Sequence, residues 1–340
     1  MTITIPTSEV NKNVTKTYPQ NWVAYNQAQT QEKILFMELL DELCSQISQP
    51  RRQGSGRPSG DLSEMIFSCC LKTYLDFSSR RAESDIRLAQ ELGYIEHPPH
   101  FNTILKYLRK PELRKILTKL IQMSAIPLKE VEKNFAMDAS GFGTAMVCNW
   151  NRTKKIHEEH RKFKKAHVMC GVKTNIITHI EITEGYLHDT HMFETLLQNT
   201  TKNFDVWEIY ADKGYSSEKN LGIACRYGVI PFIPFKKNLK RVSDEKMLIW
   251  RMMFKYFKDH KEEFMKHYHL RSNVESVFAM MKRKFGGYVR AKSSVGRENE
   301  VLCKALCHNI CVLIQEMFEL GIKVDFQEEI SPEFMCKIEV

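Results

Sequence analysis

Tyr268-His-Leu-Arg271-Ser-Asn-Val-Glu275-Ser-Val-Phe-Ala-Met-Met-Lys282 is the stretch on which the reading of this chain turns. Each residue of an α-helix advances about 100° around its axis. With Tyr268 at zero, Arg271 falls at about 300°, Glu275 at about 340° and Lys282 at about 320°. Leu270, Val274, Val277 and Met281 fall together between about 180° and 240°. The spacing predicts a helix with one packing face. The other face presents a carboxylate flanked by two cations and a phenol. Such a face suits a metal ion and a phosphate together. It equally fits a solvated stripe holding a single i,i+4 ion pair, Arg271 to Glu275.

Two upstream acids favour the chemical reading. Phe135-Ala-Met-Asp138-Ala-Ser-Gly141 leads short apolar residues into Asp138, with Ser140-Gly141 read as a turn. Val206-Trp-Glu-Ile-Tyr-Ala-Asp212-Lys-Gly-Tyr215 is a second apolar strand ending in an aspartate, followed by a Gly turn and a new helix. Two strands that end in Asp and a later helix carrying Glu can gather three carboxylates. Their mutual repulsion calls for a divalent cation, and hard oxygen ligands favour Mg2+ or Mn2+. Two such ions can activate the attacking oxygen and stabilise the leaving oxygen of a phosphodiester. Asp138, Asp212 and Glu275 are the candidate catalytic and metal-holding residues. Asp189, in His188-Asp189-Thr190, is a competing acid.

These motifs resemble the DDE transposases of prokaryotic insertion sequences, in the group marked by a Tyr-Arg-Glu-Lys signature. Tyr268, Arg271, Glu275 and Lys282 match it with the family spacing. Asp212, Gly214 and Tyr215 match its Asp-x-Gly-Tyr motif, and Asp138 corresponds to the first catalytic aspartate. Pro231–Asn238 and Leu306–Asn309 also look like family segments. The resemblance runs from about residue 133 to 318. It implies an α/β, RNase H-like mixed sheet with flanking helices. It implies cleavage of DNA at element ends, then strand transfer to a target, with two Mg2+ (or Mn2+) ions as cofactors. Tyr268, Arg271 and Lys282 would position phosphates. The implied partners are double-stranded DNA, as terminal inverted repeats and target, and further copies of the chain in a homodimer or higher oligomer. Two alternatives stay open: a nuclease of the same fold without strand transfer, and a non-catalytic, transposase-derived DNA-binding protein.

The remaining pattern agrees with a mixed sheet. Residues 134–139, 143–150, 166–173 and 176–184 read as extended, with a turn at Thr174-Asn175. A helix follows near His191–Asn199, another near Ser217–Tyr227, and Val229–Phe232 is a short strand. Fifty Lys and Arg against 41 Asp and Glu give a net charge of +9, which points towards a polyanion. The charge is clustered in residues 152–165, 236–241 and 282–292. From these clusters Lys162, Lys164, Lys165, Lys236, Lys237, Arg283 and Lys284 are weaker candidates for DNA contact.

Ten cysteines include no Cys-x-x-Cys pair. Cys303, Cys307 and Cys311 have helix-core spacing, and Cys69-Cys70 lies in an apolar helix, so zinc and disulfides are not expected. Met1–Asn13 is polar and Val301–Leu320 carries Lys304, Gln315, Glu316 and Glu319, so a cytoplasmic protein with reduced thiols is expected, and the resemblance implies a prokaryotic cytosol and association with the nucleoid.

The expected division is a mobile N-terminus (1–20), a helical DNA-end-binding domain (21–130), the catalytic domain (131–320) and a tail (321–340). The helical part comprises Asn21–Ile47, a basic linker Gln49–Gly60, and a helix from a capping box at Asp61/Glu64 to Asp76. Further helices cover Arg81–Leu92, a short stretch capped by Asn102, and Pro111–Ser124. The segment Arg81–Lys110 fits either a helix-turn-helix offering Lys106, Arg109 and Lys110 to DNA, or a structural helical subdomain.

Overall fold

The strand that carries Asp138 lies at the centre of the sheet. The computed structural model of the chain describes residues 21–48, 60–144, 163–236, 239, 243 and 245–326. The strands are β1 (Asn134–Gly143), β2 (Phe163–Gly171), β3 (Ile177–Glu184), β4 (Glu208–Ala211) and β5 (Ile230–Phe232), in the order β3-β2-β1-β4-β5. β1, β2 and β3 pair antiparallel, with Asp138 opposite Val168 and Val168 opposite Ile180. β4 runs parallel to both β1 and β5. This mixed sheet with flanking helices is the RNase H-like α/β fold expected from the sequence.

The strand expected over 134–139 runs on without a break. Ser140-Gly141 is not a turn, and β1 continues to Gly143. The glycine answers to packing instead: a Cβ at Gly141 would stand 2.9 Å from Cδ2 of Phe163, whose ring crosses it. Residues 145–150 lie outside the described residues. The Thr174-Asn175 turn is present, with Asn175 at φ +66°.

Eleven helices are described. α1 (Trp22–Ser45), α2 (Leu62–Tyr74), α3 (Glu83–Glu91), α4 (Phe101–Tyr107) and α5 (Leu113–Ala125) precede the sheet. α6 (Phe193–Thr200) and α7 (Glu218–Arg226) alternate with the later strands. α8 (Leu248–Asp259), α9 (Lys261–His269), α10 (Ser272–Phe285) and α11 (Ser294–Glu319) follow. Asn21 caps α1 through Ala24 N–H, and Asp61 caps α2 through the N–H groups of Ser63 and Glu64. The expected capping box is incomplete. Glu64 turns away to accept the backbone N–H of Glu96 and His97. His100, rather than Asn102, caps α4, because its Nδ1 accepts from Asn102 N–H.

Side chains alternate across a strand. On β3, Thr178 bonds Thr200 of α6 at 2.8 Å, whereas His179 contacts Gln122 of α5 at 3.1 Å. Helices therefore cover both faces of the sheet. α11 packs on α1, α2, α5, α10 and β3. Its Asn309 holds both backbone groups of Ile177 on β3 and the carbonyl of Ile121 on α5. By length and composition α11 is apolar enough to cross a membrane, but 78% of that window is buried in the fold, which makes it a core helix. Phe326, in the expected tail, is buried too and donates its N–H to Glu42 of α1.

The eight cysteines among the described residues are free, and six are buried. Burial pushes the thiols of Cys44, Cys69 and Cys170 well above their ordinary value, so they pack as small apolar groups.

Candidate active site

Register brings the two aspartates together. Met137 of β1 pairs with Ala211 of β4, and both are fully buried. The residue that follows each of them is an aspartate, Asp138 within β1 and Asp212 just past the end of β4. Neighbouring strands stand about 4.8 Å apart, and residues level with each other in a parallel pair share a face. Asp212 also caps the 3-10 turn Lys213–Tyr215, accepting Lys213 N–H at 2.7 Å. Asp138 Oδ1 accepts Ala139 N–H at 2.8 Å. Burial pushes the Asp138 carboxyl above its ordinary value. The Ala139 N–H and Arg271 oppose this, and the charges of Asp212 and Asp189 add to it.

Glu275 arrives on α10, whose Val274, Val277 and Met281 are wholly buried. Arg271 Nη1 donates to Asp138 Oδ2 at 2.7 Å, and its Nη2 donates to Glu275 Oε1. The guanidinium therefore lies between the two carboxylates. The Asp138 and Arg271 side chains are 22% and 18% exposed, whereas that of Glu275 is 59% exposed. Lys282 donates to Ser140 Oγ at 2.6 Å and lies 5.3 Å from the Phe142 ring centroid. Burial pulls its ammonium below the ordinary lysine value.

Two expectations about this helix are corrected. The signature does not occupy one helix: α9 ends at His269, and α10 begins at Ser272 with Arg271 as its N-cap. Tyr268 therefore belongs to α9, under the Arg271 guanidinium at 5.8 Å. α9 is held to the sheet by His267, which bonds Glu208 of β4 at 2.8 Å and stacks on Phe232 of β5 at 4.3 Å. Leu270 is not part of the packing stripe. It lies at the junction between the helices and is 38% exposed.

The weaker candidates for DNA contact fall in different settings. Lys164 is buried, held by Glu184, Glu298 and Ser294, which removes it from the surface. Lys165 pairs with Asp189 at 2.5 Å and donates to the Leu187 carbonyl. Lys284 is paired with Glu32 of α1. Lys236 and Arg283 are exposed, while Lys162 and Lys237 lie outside the described residues.

Sequence reasoning gave no site role to two neighbours, Ser140 and Tyr215, and read Asp189 only as a competing acid. Ser140 shares the face of Asp138 by simple alternation, and that spacing was the available signal. Tyr215, fully buried, lies against the acids, and burial and the charges of Asp189, Asp138 and Asp212 push its phenol upwards. Asp189 contacts the buried His167 at 3.4 Å, and burial pulls that imidazole down to about 4.

The donor chemistry fits a hard divalent ion. Asp138 and Asp212 offer carboxylate oxygens side by side, and the charge that raises Asp138 is what a cation would neutralise. Among the described residues no three His, Cys, Asp or Glu groups already converge on one point. Glu275 is turned to Arg271 through Oε1.

The transposase DDE domain matches residues 130–310, more than half of the chain. No curated protein and no solved structure matches it.

Proposed function

Since the chain belongs to the transposase DDE domain family, we propose that it cuts DNA at the ends of an insertion sequence and joins those ends to a target. The observation that carries this reading is the register of Asp138 beside Asp212, with Arg271 linking Asp138 to Glu275.

Members of this family use divalent metal ions, and Asp138, Asp212 and Glu275 are the residues that would hold them. When bound, a pair of Mg2+ ions supplies charge neutralisation and activation of the attacking and leaving oxygens. Everything else falls to side chains of this chain. In the first step a water oxygen bonds to phosphorus, the bond from phosphorus to the 3′-oxygen breaks, and that oxygen leaves with a proton as a 3′-hydroxyl. In the second step this hydroxyl loses its proton and bonds to a target phosphorus, releasing a target 3′-oxygen. One phosphodiester is broken and one formed, so strand transfer needs no external energy source.

Arg271 and Lys282 face the acids from α10 and bind non-bridging phosphate oxygens. Arg271 does so as a planar fork, and Lys282 as a point charge next to Ser140. Tyr268 supports the Arg271 guanidinium. Positioning and charge neutralisation carry the catalysis.

The test is Mg2+-dependent cleavage of duplexes that carry the element ends. Asp138→Asn, Asp212→Asn and Glu275→Gln should each lower cutting and joining by at least about 100-fold, about 2.7 kcal/mol, while the fold is retained. Near wild-type cutting by Glu275→Gln would refute the assignment. Cutting without joining by the wild-type chain would leave a nuclease of the same fold.

A further inference from the structure

A cleft rimmed by cations lies apart from the acids. It has a volume of about 400 Å³ and opens between the α2–α3 turn, α4 and the connection from α10 to α11. Five cations line it, Lys72, Arg80, Arg109, Arg290 and Lys292, against one carboxylate, Glu300. That carboxylate is already engaged. Its oxygens accept the backbone N–H groups of Arg290, at 2.9 and 3.0 Å, and of Ala291, at 2.8 Å. Arg290 is itself paired with Asp76 at 3.2 Å. Among the described residues Lys72, Arg80, Arg109 and Lys292 form no ion pair.

One lining group is buried without the partner that burial demands: Ser79 is 5% exposed and its hydroxyl is unpaired. A buried hydroxyl costs stability unless an acceptor meets it. Lys72, 3% exposed as a residue, lies at the same cleft. A single anion rich in acceptor oxygens answers both the hydroxyl and the cations around it. The wall is also pre-formed. Lys304 donates to the carbonyls of Gly286 and Tyr288, at 2.7 and 2.6 Å, and so pins the α10–α11 connection.

We propose that this cleft binds a phosphate of the DNA backbone and anchors the duplex at a second point away from the scissile bond. The proposal rests on the reading of DNA as the substrate. Continuity with the acid site selects a backbone phosphate over a free one. The α10–α11 connection hydrogen-bonds to the end of β1, Val289 N–H to Gly143 and Gly143 N–H to Gly287. β1 carries Asp138, and α10 carries Glu275 and Lys282. A duplex seated on those residues has a wall of the cleft in line with it, and Lys106 and Lys110 extend the basic rim beyond Arg109.

The experiment uses the full chain carrying Glu275→Gln, with a chelator present, so that binding is read without turnover. The probes are a duplex of scrambled sequence and, separately, inorganic phosphate. Arg109→Gln/Lys292→Gln should weaken duplex binding by about tenfold or more. It should also flatten the slope of log affinity against log salt by about two, one for each lost phosphate contact. Ser79→Ala should weaken binding with no fall in melting temperature, because it deletes an unpaired hydroxyl. Lys202→Gln, an exposed lysine outside the cleft, should change neither affinity nor slope by as much. Unchanged affinity and slope in both cleft variants would overturn the proposal. So would a melting temperature raised by inorganic phosphate while the double variant binds duplex normally, since the cleft would then take free phosphate. The two readings fail separately. Weakened binding in the cleft variants, with no Mg2+-dependent cutting by the wild-type chain, keeps the cleft and removes the catalysis. Normal cutting with unaffected binding does the reverse.

Discussion

Replacing Arg271 with Gln should cost about 2 kcal/mol of stability at pH 7.5, and only while Asp138 is present. Arg271 contacts Asp138 at 2.7 Å, and both side chains are less than a quarter exposed. Two unit charges about 4 Å apart attract by about 4 kcal/mol at an effective dielectric of 20. Desolvation of both groups, and the hydrogen bond that Gln can retain, remove about half of that. The second partner decides little: Glu275 is 59% exposed, so its pair with Arg271 is worth about 0.5 kcal/mol or less. The assay is a double-mutant cycle by urea unfolding, with Arg271→Gln made in the wild-type and Asp138→Asn backgrounds. The cost should nearly vanish in the second background, and also at a pH low enough to protonate Asp138. An equal cost in both backgrounds would show that Arg271 is held by something other than Asp138, and the proposed geometry of the site would fail with it.

Three further outcomes follow from the same structure. Asp138→Asn should melt no lower than wild type in chelator. The folded carboxyl is raised above 3.8 by burial and by Asp212 and Asp189, so wild type loses stability as pH rises past that value and the amide does not; a clear drop in melting temperature at pH 7 would contradict this. Val274→Asp, on the wholly buried stripe, should cost more than about 3 kcal/mol by thermal melting, and Glu275→Gln less than about 0.5, so equal losses would mean that the two faces of α10 are misassigned. Burial pulls Lys304 down to about 8 from 10.5, so between those values the unfolded chain holds a proton that the folded chain has released. Stability should therefore rise across that window by up to about 3 kcal/mol more in wild type than in Lys304→Met, measured by unfolding at several pH values.

The acids and the sheet were legible because their signals are local. An apolar run ending in Asp marks Asp138 and Asp212, and alternation marks β1 and β3. Partners distant in sequence were not legible. Lys284 reads as a surface cation, and only the fold brings Glu32 of α1 to it. Lys164 reads the same way but meets Glu298 at the start of α11. The break between α9 and α10 carries no Gly or Pro, and Leu270 and Arg271 keep helical dihedrals, so periodicity ran straight through it. Ser140-Gly141 misled in the opposite way: the pair resembles a turn, yet the glycine makes room for Phe163. The sequence reading assigned no structure to α8. Its Trp250, Phe254 and Phe257 gather around Phe235, a cluster visible only once the chain has turned back.

The place of α11 in the core sets an order of events at the ribosome. Among the described helices α1 emerges first and α11 last, yet each buries the other. At about 5–20 residues per second, α1 waits on the order of 12–50 s for it. Until then the apolar faces of α1, α2 and α5 have no lid, and the strand that carries Asp138 lacks part of its support. The chain thus reaches a working site only when α11 has been made. A nascent chain arrested before Ser294 should be cut by protease throughout α1–α5, and one arrested beyond Phe326 should resist. Early resistance would mean that the N-terminal helices close on themselves without α11.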